Sequence, residues 1–303
     1  MLSYQHAYHA GNHADVLKHL VIIATQLALN KKNKPYFVLD SHAGEGLYML
    51  SHRSEKADAA AFEHLLGLPT DDKTEQALQY YIEVVKASLE NGFYPGSPFI
   101  VSKLAREFDN IQVNELSGPI ANQLNRHITR YFYDNTRVQV HHRDAFEAIK
   151  ALIPPSPNRG MLIIDPPYEQ AEEYQQVVQA ISQSIQKWHN GIYLIWYPLL
   201  SPKRINHRSG ELEASPKAHL ANQMLEQLSD LSKTHVTGGM LSLEFAYQQA
   251  TENVGMYGSG MCIINPPFKI EESLRNCLNV LETTIAKDNN SSSSNIKWWQ
   301  IAQ

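Results

Sequence analysis

The sequence predicts an α/β fold, a mostly parallel sheet with helices on both faces, and three observations carry that expectation. Four short apolar runs end in or lead to an acidic residue, at 36–40, 111–115, 138–144 and 161–165. Polar, helix-favouring stretches lie between and after them, at 119–133, 145–152 and 169–188. Glycine or proline turns follow the first and the last run. Strands that alternate with helices pair in parallel, because only a crossover returns the chain to the same end of a sheet.

The elements follow in order. A histidine- and tyrosine-rich N-terminal segment leads into a helix over 12–29, with Asn12 as N-cap and Asp15 as first-turn acid. Tyr36-Phe37-Val38-Leu39-Asp40 is a buried strand, and Ser41-His42-Ala43-Gly44-Glu45-Gly46 is its glycine turn. Residues 51–91 are polar and alanine-containing up to Tyr94-Pro95-Gly96-Ser97-Pro98, and read as a helical insertion. Beyond the four acid-ended strands, a strongly apolar strand at 192–197, a helix near 217–232 and strands near 240–246 and 260–264 complete the sheet. The Ser291-Ser292-Ser293-Ser294 run reads as a flexible loop before a last segment at 296–301.

Composition narrows the class. The 303 residues, 43% of them hydrophobic, suffice for a full core. A net charge of −5 argues against wrapping nucleic acid over a general basic surface. It leaves local groups only, such as Lys31, Lys32 and Lys34, or Lys203, Arg204, His207 and Arg208. Two cysteines rule out a disulfide framework, no His/Cys cluster has metal-ligand spacing, and a reducing cytoplasm fits. Neither a membrane span nor a signal peptide is read in the sequence.

The chemistry lies at the strand ends. In open parallel sheets ligands bind beyond the carboxyl ends, where strand order reverses. Asp40 with Gly44 and Gly46 lets backbone approach a ligand, Glu115 suits two ribose hydroxyls, and Asp144 suits an adenine amino group. A dinucleotide fold is disfavoured, because Met49 stands where the third glycine belongs and the insertion overruns the spacing to the ribose acid. An adenosine cofactor without pyrophosphate fits S-adenosyl-L-methionine.

Asp165-Pro166-Pro167-Tyr168 is the sharpest local signal. Two prolines after an apolar strand hold a rigid extended turn at the sheet's active edge. There the Asp165 carboxylate and Pro166 carbonyl accept hydrogen bonds from an exocyclic amino group, and Tyr168 stacks on the base. Positioning for in-line methyl transfer needs no metal. Asn265-Pro266-Pro267-Phe268 repeats the pattern, but it follows a strand near the far side of the sheet and reads as structural.

The block Met1-Leu2-Ser3-Tyr4-Gln5-His6, with Tyr8-His9-Ala10-Gly11-Asn12-His13-Ala14-Asp15-Val16-Leu17-Lys18-His19, together with Leu39-Asp40-Ser41-His42-Ala43-Gly44, Tyr94-Pro95-Gly96-Ser97-Pro98 and Ile164-Asp165-Pro166-Pro167-Tyr168, resembles the bacterial 23S ribosomal RNA (adenine(2030)-N6)-methyltransferase family. The likeness spans essentially the whole chain. It implies a Rossmann-like class I methyltransferase domain over 1–303 with a small helical subdomain at 51–91. It further implies a monomer acting on 23S ribosomal RNA not yet packed into the mature subunit. By the family's pattern His19, His42, Ser97, Glu115, Asp144 with Ala145, and Asp165 line the cofactor site beside Lys18 and Gly44. Asp165 is then catalytic, and segment 1–19 closes over the cleft with Tyr4 and His6 toward the substrate. Family members carry Gly at Ala145, and Ala and Arg at Glu45 and Leu47, so a contact from that Arg side chain is not implied here.

Three other readings use the same residues. A DNA adenine or cytosine amino-methyltransferase shares the turn but normally carries a recognition domain, for which no segment remains beyond 51–91. A protein-glutamine methyltransferase favours Asn-Pro-Pro-Tyr at the catalytic turn. A non-catalytic RNA-binding protein with a vestigial pocket has no need of the intact set of strand-end acids.

Overall fold

The computed structural model describes residues 9–50, 61–132, 137–205, 209–285 and 292–301. Helix α1 (His13–Asn30) starts where expected: Asn12 Oδ1 accepts a bond from the Asp15 amide at 2.9 Å. It is buried nearly all round, as an apolar helix with few charges must be. The chain then forms β1 (Phe37–Asp40), β2 (Leu47–Met49), α2 (Gln76–Leu89), β3 (Phe93–Pro95), α3 (Ser97–Leu104), β4 (Asn110–Glu115) and α4 (Gly118–Tyr131). It continues through β5 (Val138–His142), α5 (Ala145–Leu152), β6 (Gly160–Ile164), α6 (Glu172–Ile185) and β7 (Ile192–Leu200). The last part is β8 (Lys203–Ile205), β9 (Leu212–Ala214), α7 (Leu220–His235), β10 (Met240–Ala246), β11 (Met256–Ile264), α8 (Ile270–Thr284) and β12 (Ser293–Gln300).

Eight strands form one sheet in the order β12-β10-β11-β7-β6-β1-β4-β5. The run from β5 to β7 is parallel, and β11, β10 and β12 pair antiparallel at the other edge. This is the expected Rossmann-like class I arrangement. Successive strand residues feed opposite cores: Val38 and Ile163 pack with α1, α3 and α8, whereas Leu39 and Ile164 pack with α6 and α7. Burial on both faces explains why these strands read as unbroken apolar runs rather than alternating ones.

Strand order reverses at β1, between β4 and β6, and the chain leaves β1 stitched to both neighbours. The Ser41 amide bonds to the Ile163 carbonyl at 3.1 Å and the Ala43 amide to the Asn114 carbonyl at 2.9 Å. The insertion is closed at its base by the β2–β3 ladder; its described part is a 3-10 turn at Ala61–Leu65 followed by α2.

One sequence expectation needs correction, and one element has no counterpart in the sequence reading. Ser293 and Ser294 are strand, not loop, because they pair with Ala246 and Phe245 at the sheet edge and the Ser294 amide bonds to Glu282. The β8–β9 hairpin was not foreseen; its short, exposed strands carry no apolar face to signal them.

Candidate active site

Asp165 follows β6 at the carboxyl edge, and its partner comes from the other end of the chain. Lys18 Nζ lies 2.6 Å from Asp165 Oδ2 and 2.8 Å from Asp15 Oδ1. Asp15 is fixed in turn, its Oδ2 accepting the Gly11 amide at 2.9 Å. Burial alone would lower the Lys18 pKa, but the Asp15 and Asp165 carboxylates outweigh it and hold the ammonium well above its usual value. The cation is therefore permanent. The Asp15 contact is an i,i+3 pair on one helix face, whereas the Asp165 contact spans 147 positions and leaves no trace in sequence spacing.

Asp40, fully buried, joins this cluster. Burial is the main reason its pKa rises to about 6, against the pull of the nearby Ser97 hydroxyl and the field of Lys18. Its Oδ2 has no protein donor among the described residues. Ser97 owes its place to the start of α3, where Gly96 is the N-cap and Pro98 sits in the first turn. His19, on the flank of α1 away from Lys18, brings Nδ1 to 3.2 Å from the Tyr94 hydroxyl, one turn before Ser97.

His42 stands between the acids. Burial pushes its ring down to about 4, although Asp165 and Asp144 pull it upward. Two contacts compete for Nδ1: Ser41 Oγ at 2.9 Å and the Asp165 amide at 3.4 Å. The single hydroxyl proton of Ser41 goes to the Ile163 carbonyl at 2.7 Å, so Nδ1–H donates to Ser41 and Nε2 is left as the acceptor.

On the other side of β1, Glu115 accepts from the Gly44 amide at 3.1 Å and from the Ser117 amide at 2.7 Å, which fixes its carboxylate at the β4 exit. Gly44 has φ 63°, and a Cβ there would meet the Tyr48 hydroxyl at 2.1 Å, so no larger residue fits. Asp144 is the N-cap of α5: Oδ1 accepts from Phe146 and Glu147 amides at 2.9 and 3.1 Å, and buried Ala145 begins the helix. Asn114, which sequence reading passed over, is buried and bonds its Nδ2 to the Ser41 and Arg143 carbonyls at 3.1 Å each. It ties the loops after β1 and β5 together. A groove between α5 and α6 also opens at Asp144, lined from Phe146 to Ile153 on one side and from Gln176 to Lys187 on the other, and Asp165 is not in its lining.

Tyr168 requires a correction. The expected stacking platform is 3% exposed, packs against Tyr174 at 4.2 Å between ring centroids, and donates its hydroxyl to the Trp196 carbonyl at 2.9 Å. Its ring is part of the core under the turn, since a left-handed φ of 50° folds it inward. Pro166 is buried beside it. Tyr4 and His6 lie outside the described residues.

The second turn is oriented away from this edge. Since β11 runs antiparallel to β7 and Ile264 pairs with Tyr193, Asn265 emerges at the amino end of the parallel strands. Its amide is consumed there, Nδ2 donating to the His189 and Gly191 carbonyls at 2.8 Å each and Oδ1 accepting the Gly238 amide at 3.1 Å. Among the described residues no His, Cys, Asp or Glu group is arranged for a metal, and no helix is long and apolar enough to cross a membrane.

Known proteins share this chain's length and shape. The curated ribosomal RNA large subunit methyltransferase J of Escherichia coli K12 is 37% identical over 281 residues, 92% of each chain. The protein of the same name from Haemophilus influenzae is 32% identical over 295 residues, 95% of each. The crystal structure of protein LPL1258 from Legionella pneumophila superposes with a TM-score of 0.77 at 28% identity, covering 96% of this chain and 98% of that one. Residues 33–300 match the family described as Ribosomal RNA large subunit methyltransferase D, RlmJ, and the chain belongs to that family.

Proposed function

We propose that this protein transfers a methyl group from S-adenosyl-L-methionine to the N6 amino group of an adenine in 23S ribosomal RNA, with Asp165 as the catalytic residue. The observation that carries the reading is Asp165 beside the switch point, gripped through one oxygen by Lys18 and flanked by Asp40, Glu115 and Asp144 at three further strand ends.

The residues fit the cofactor. Gly44 holds a left-handed backbone that turns its amide onto Glu115, Glu115 is aligned by two amides for a ribose diol, and Asp144 keeps Oδ2 for an adenine amino group. The buried, undonated Oδ2 of Asp40 suits a cationic amino group. When bound, the cofactor supplies an electrophilic methyl group on a sulfonium.

The protein's part is to present the nucleophile. An adenine amino group is poorly nucleophilic because its lone pair is delocalised into the ring. Lys18 occupies Asp165 Oδ2, which leaves Oδ1 to accept one amino N–H while the Pro166 carbonyl accepts the other. Both bonds favour a lone pair localised on nitrogen and aimed along one line, and orientation of this kind supplies much of the rate. Base stacking falls to a surface other than the buried Tyr168 ring. Lys18, His19, His42, Ser97, Ala145 and segment 1–19 belong to the same proposal, as cofactor and substrate contacts, with Tyr4 and His6 nearest the RNA.

Methyl transfer from the tritiated cofactor to deproteinised 23S RNA, 50S particles and duplex DNA, followed by nucleoside analysis, tests it. N6-methyladenosine in free 23S RNA is the expected product, lost in Asp165→Ala. Label in DNA alone, or wild-type transfer by a folded Asp165→Ala protein, overturns it.

A further inference from the structure

The catalytic turn is held from its far end by a cation that the scheme above does not use. Tyr168 has φ 50°, a conformation that a residue with a large side chain keeps only where its surroundings impose it. Its side chain is held by the Trp196 carbonyl and the Tyr174 ring, but one group grips the backbone. Lys217 Nζ donates to the Tyr168 carbonyl at 2.7 Å and to the Glu169 carbonyl at 3.0 Å. Lys217 lies half-buried between the β8–β9 hairpin and α7, where the Ser215 amide closes the hairpin base on the Pro202 carbonyl at 2.8 Å. Glu173, whose charge is near enough to feel Lys217, bonds to the Gln170 amide at 2.8 Å instead.

An ammonium aimed at two successive peptide carbonyls acts as a tether on backbone orientation. Here the orientation is passed on through few free torsions, because Pro166 and Pro167 have fixed φ and leave only their ψ angles to absorb a rotation of Tyr168. We propose that Lys217 is a positioning residue for methyl transfer: by tying down the Tyr168 and Glu169 carbonyls it sets the direction in which the Pro166 carbonyl and the Asp165 carboxylate meet the amino group. This rests on Asp165–Tyr168 being the catalytic turn.

The test compares wild type, Lys217→Met, Lys217→Arg, Lys217→Ala and Asp165→Ala. Binding of S-adenosylhomocysteine and of 23S RNA fragments is measured, together with single-turnover transfer at saturating cofactor and RNA. Lys217→Met is expected to slow transfer about tenfold to a hundredfold, the scale of a small misplacement, while both dissociation constants stay within about twofold. Lys217→Arg recovers part of the rate. Methylammonium restores Lys217→Ala in proportion to its concentration, and tetramethylammonium, a cation without donors, does not. Lys217→Met at the wild-type rate beside an inactive Asp165→Ala overturns the clamp alone. So does a rate loss matched by lost cofactor binding and unrescued by methylammonium. An active Asp165→Ala removes the turn's catalytic role, and the clamp with it.

Discussion

Lys18 and Asp165, 147 positions apart, meet at 2.6 Å through Nζ and Oδ2 in a pocket where both side chains are largely buried. The same ammonium neutralises Asp15 at 2.8 Å and lowers the cost of ionising Asp40. One cation thus serves three acids, and its loss would leave them facing one another.

Lys18→Met is therefore expected to destabilise the fold by about 3–5 kcal/mol, the scale for a buried charge stripped of its partner. Thermal melting reads this. The double variant Lys18→Met with Asp15→Asn should regain part of the stability, because one uncompensated acid is gone, yet stay deficient in transfer because Asp165 remains untethered. Recovery of both together would show that Lys18 acts through folding alone.

Cofactor affinity should fall as pH drops through about 6. Asp40 sits at about 6 in the free protein, and a bound ammonium or sulfonium would pull it lower, so binding releases a proton below that pH. The sign follows: the complex binds fewer protons than the free protein, and affinity weakens by up to about tenfold per pH unit below 6. Ser97 and Lys18 already hold Asp40 down, and His42, pushed to about 4, stays neutral across this window. Calorimetry with S-adenosylhomocysteine in buffers of different ionisation enthalpy measures the proton directly. An Asp40→Asn protein with the same pH slope would assign the titration elsewhere.

Glu115→Gln keeps the shape of the side chain but replaces one acceptor oxygen by an amide nitrogen, which meets either the Gly44 or the Ser117 N–H as a donor against a donor. Weakening of S-adenosylhomocysteine binding by roughly tenfold or more is expected, on the scale of 1.5–3 kcal/mol for hydrogen bonds to a charged group. Unchanged affinity would remove the ribose assignment.

The strand-end acids were legible because a parallel α/β sheet puts every carboxyl end on one edge, so Asp40, Glu115, Asp144 and Asp165 could be grouped without coordinates. What joined them was not. Asn114 and Ser41 act through contacts set by strand register, and Lys18 reaches Asp165 from a helix packed across the sheet, which leave no periodic trace. Tyr168 was misplaced because the sequence shows an aromatic after two prolines but not the left-handed φ that turns it into the core. The Ser293 and Ser294 pairing was missed because an edge strand is held by backbone bonds rather than by an apolar face.

The two proline turns give the last prediction. They look alike in sequence, yet the direction of β11 sends Asn265 to the opposite edge from Asp165. There Asn265 takes the left-handed conformation itself, φ 55°, and spends its whole amide on the His189, Gly191 and Gly238 backbone. At roughly 0.5–1.5 kcal/mol per net hydrogen bond, Asn265→Ala should cost about 2–4 kcal/mol of stability. Methyl transfer per folded molecule should stay within about twofold of wild type, since nothing at the carboxyl edge moves. Melting curves with active-site titration by labelled cofactor separate the two quantities. A folded Asn265→Ala protein that binds cofactor and transfers nothing would mean that the second turn, too, takes part in the reaction.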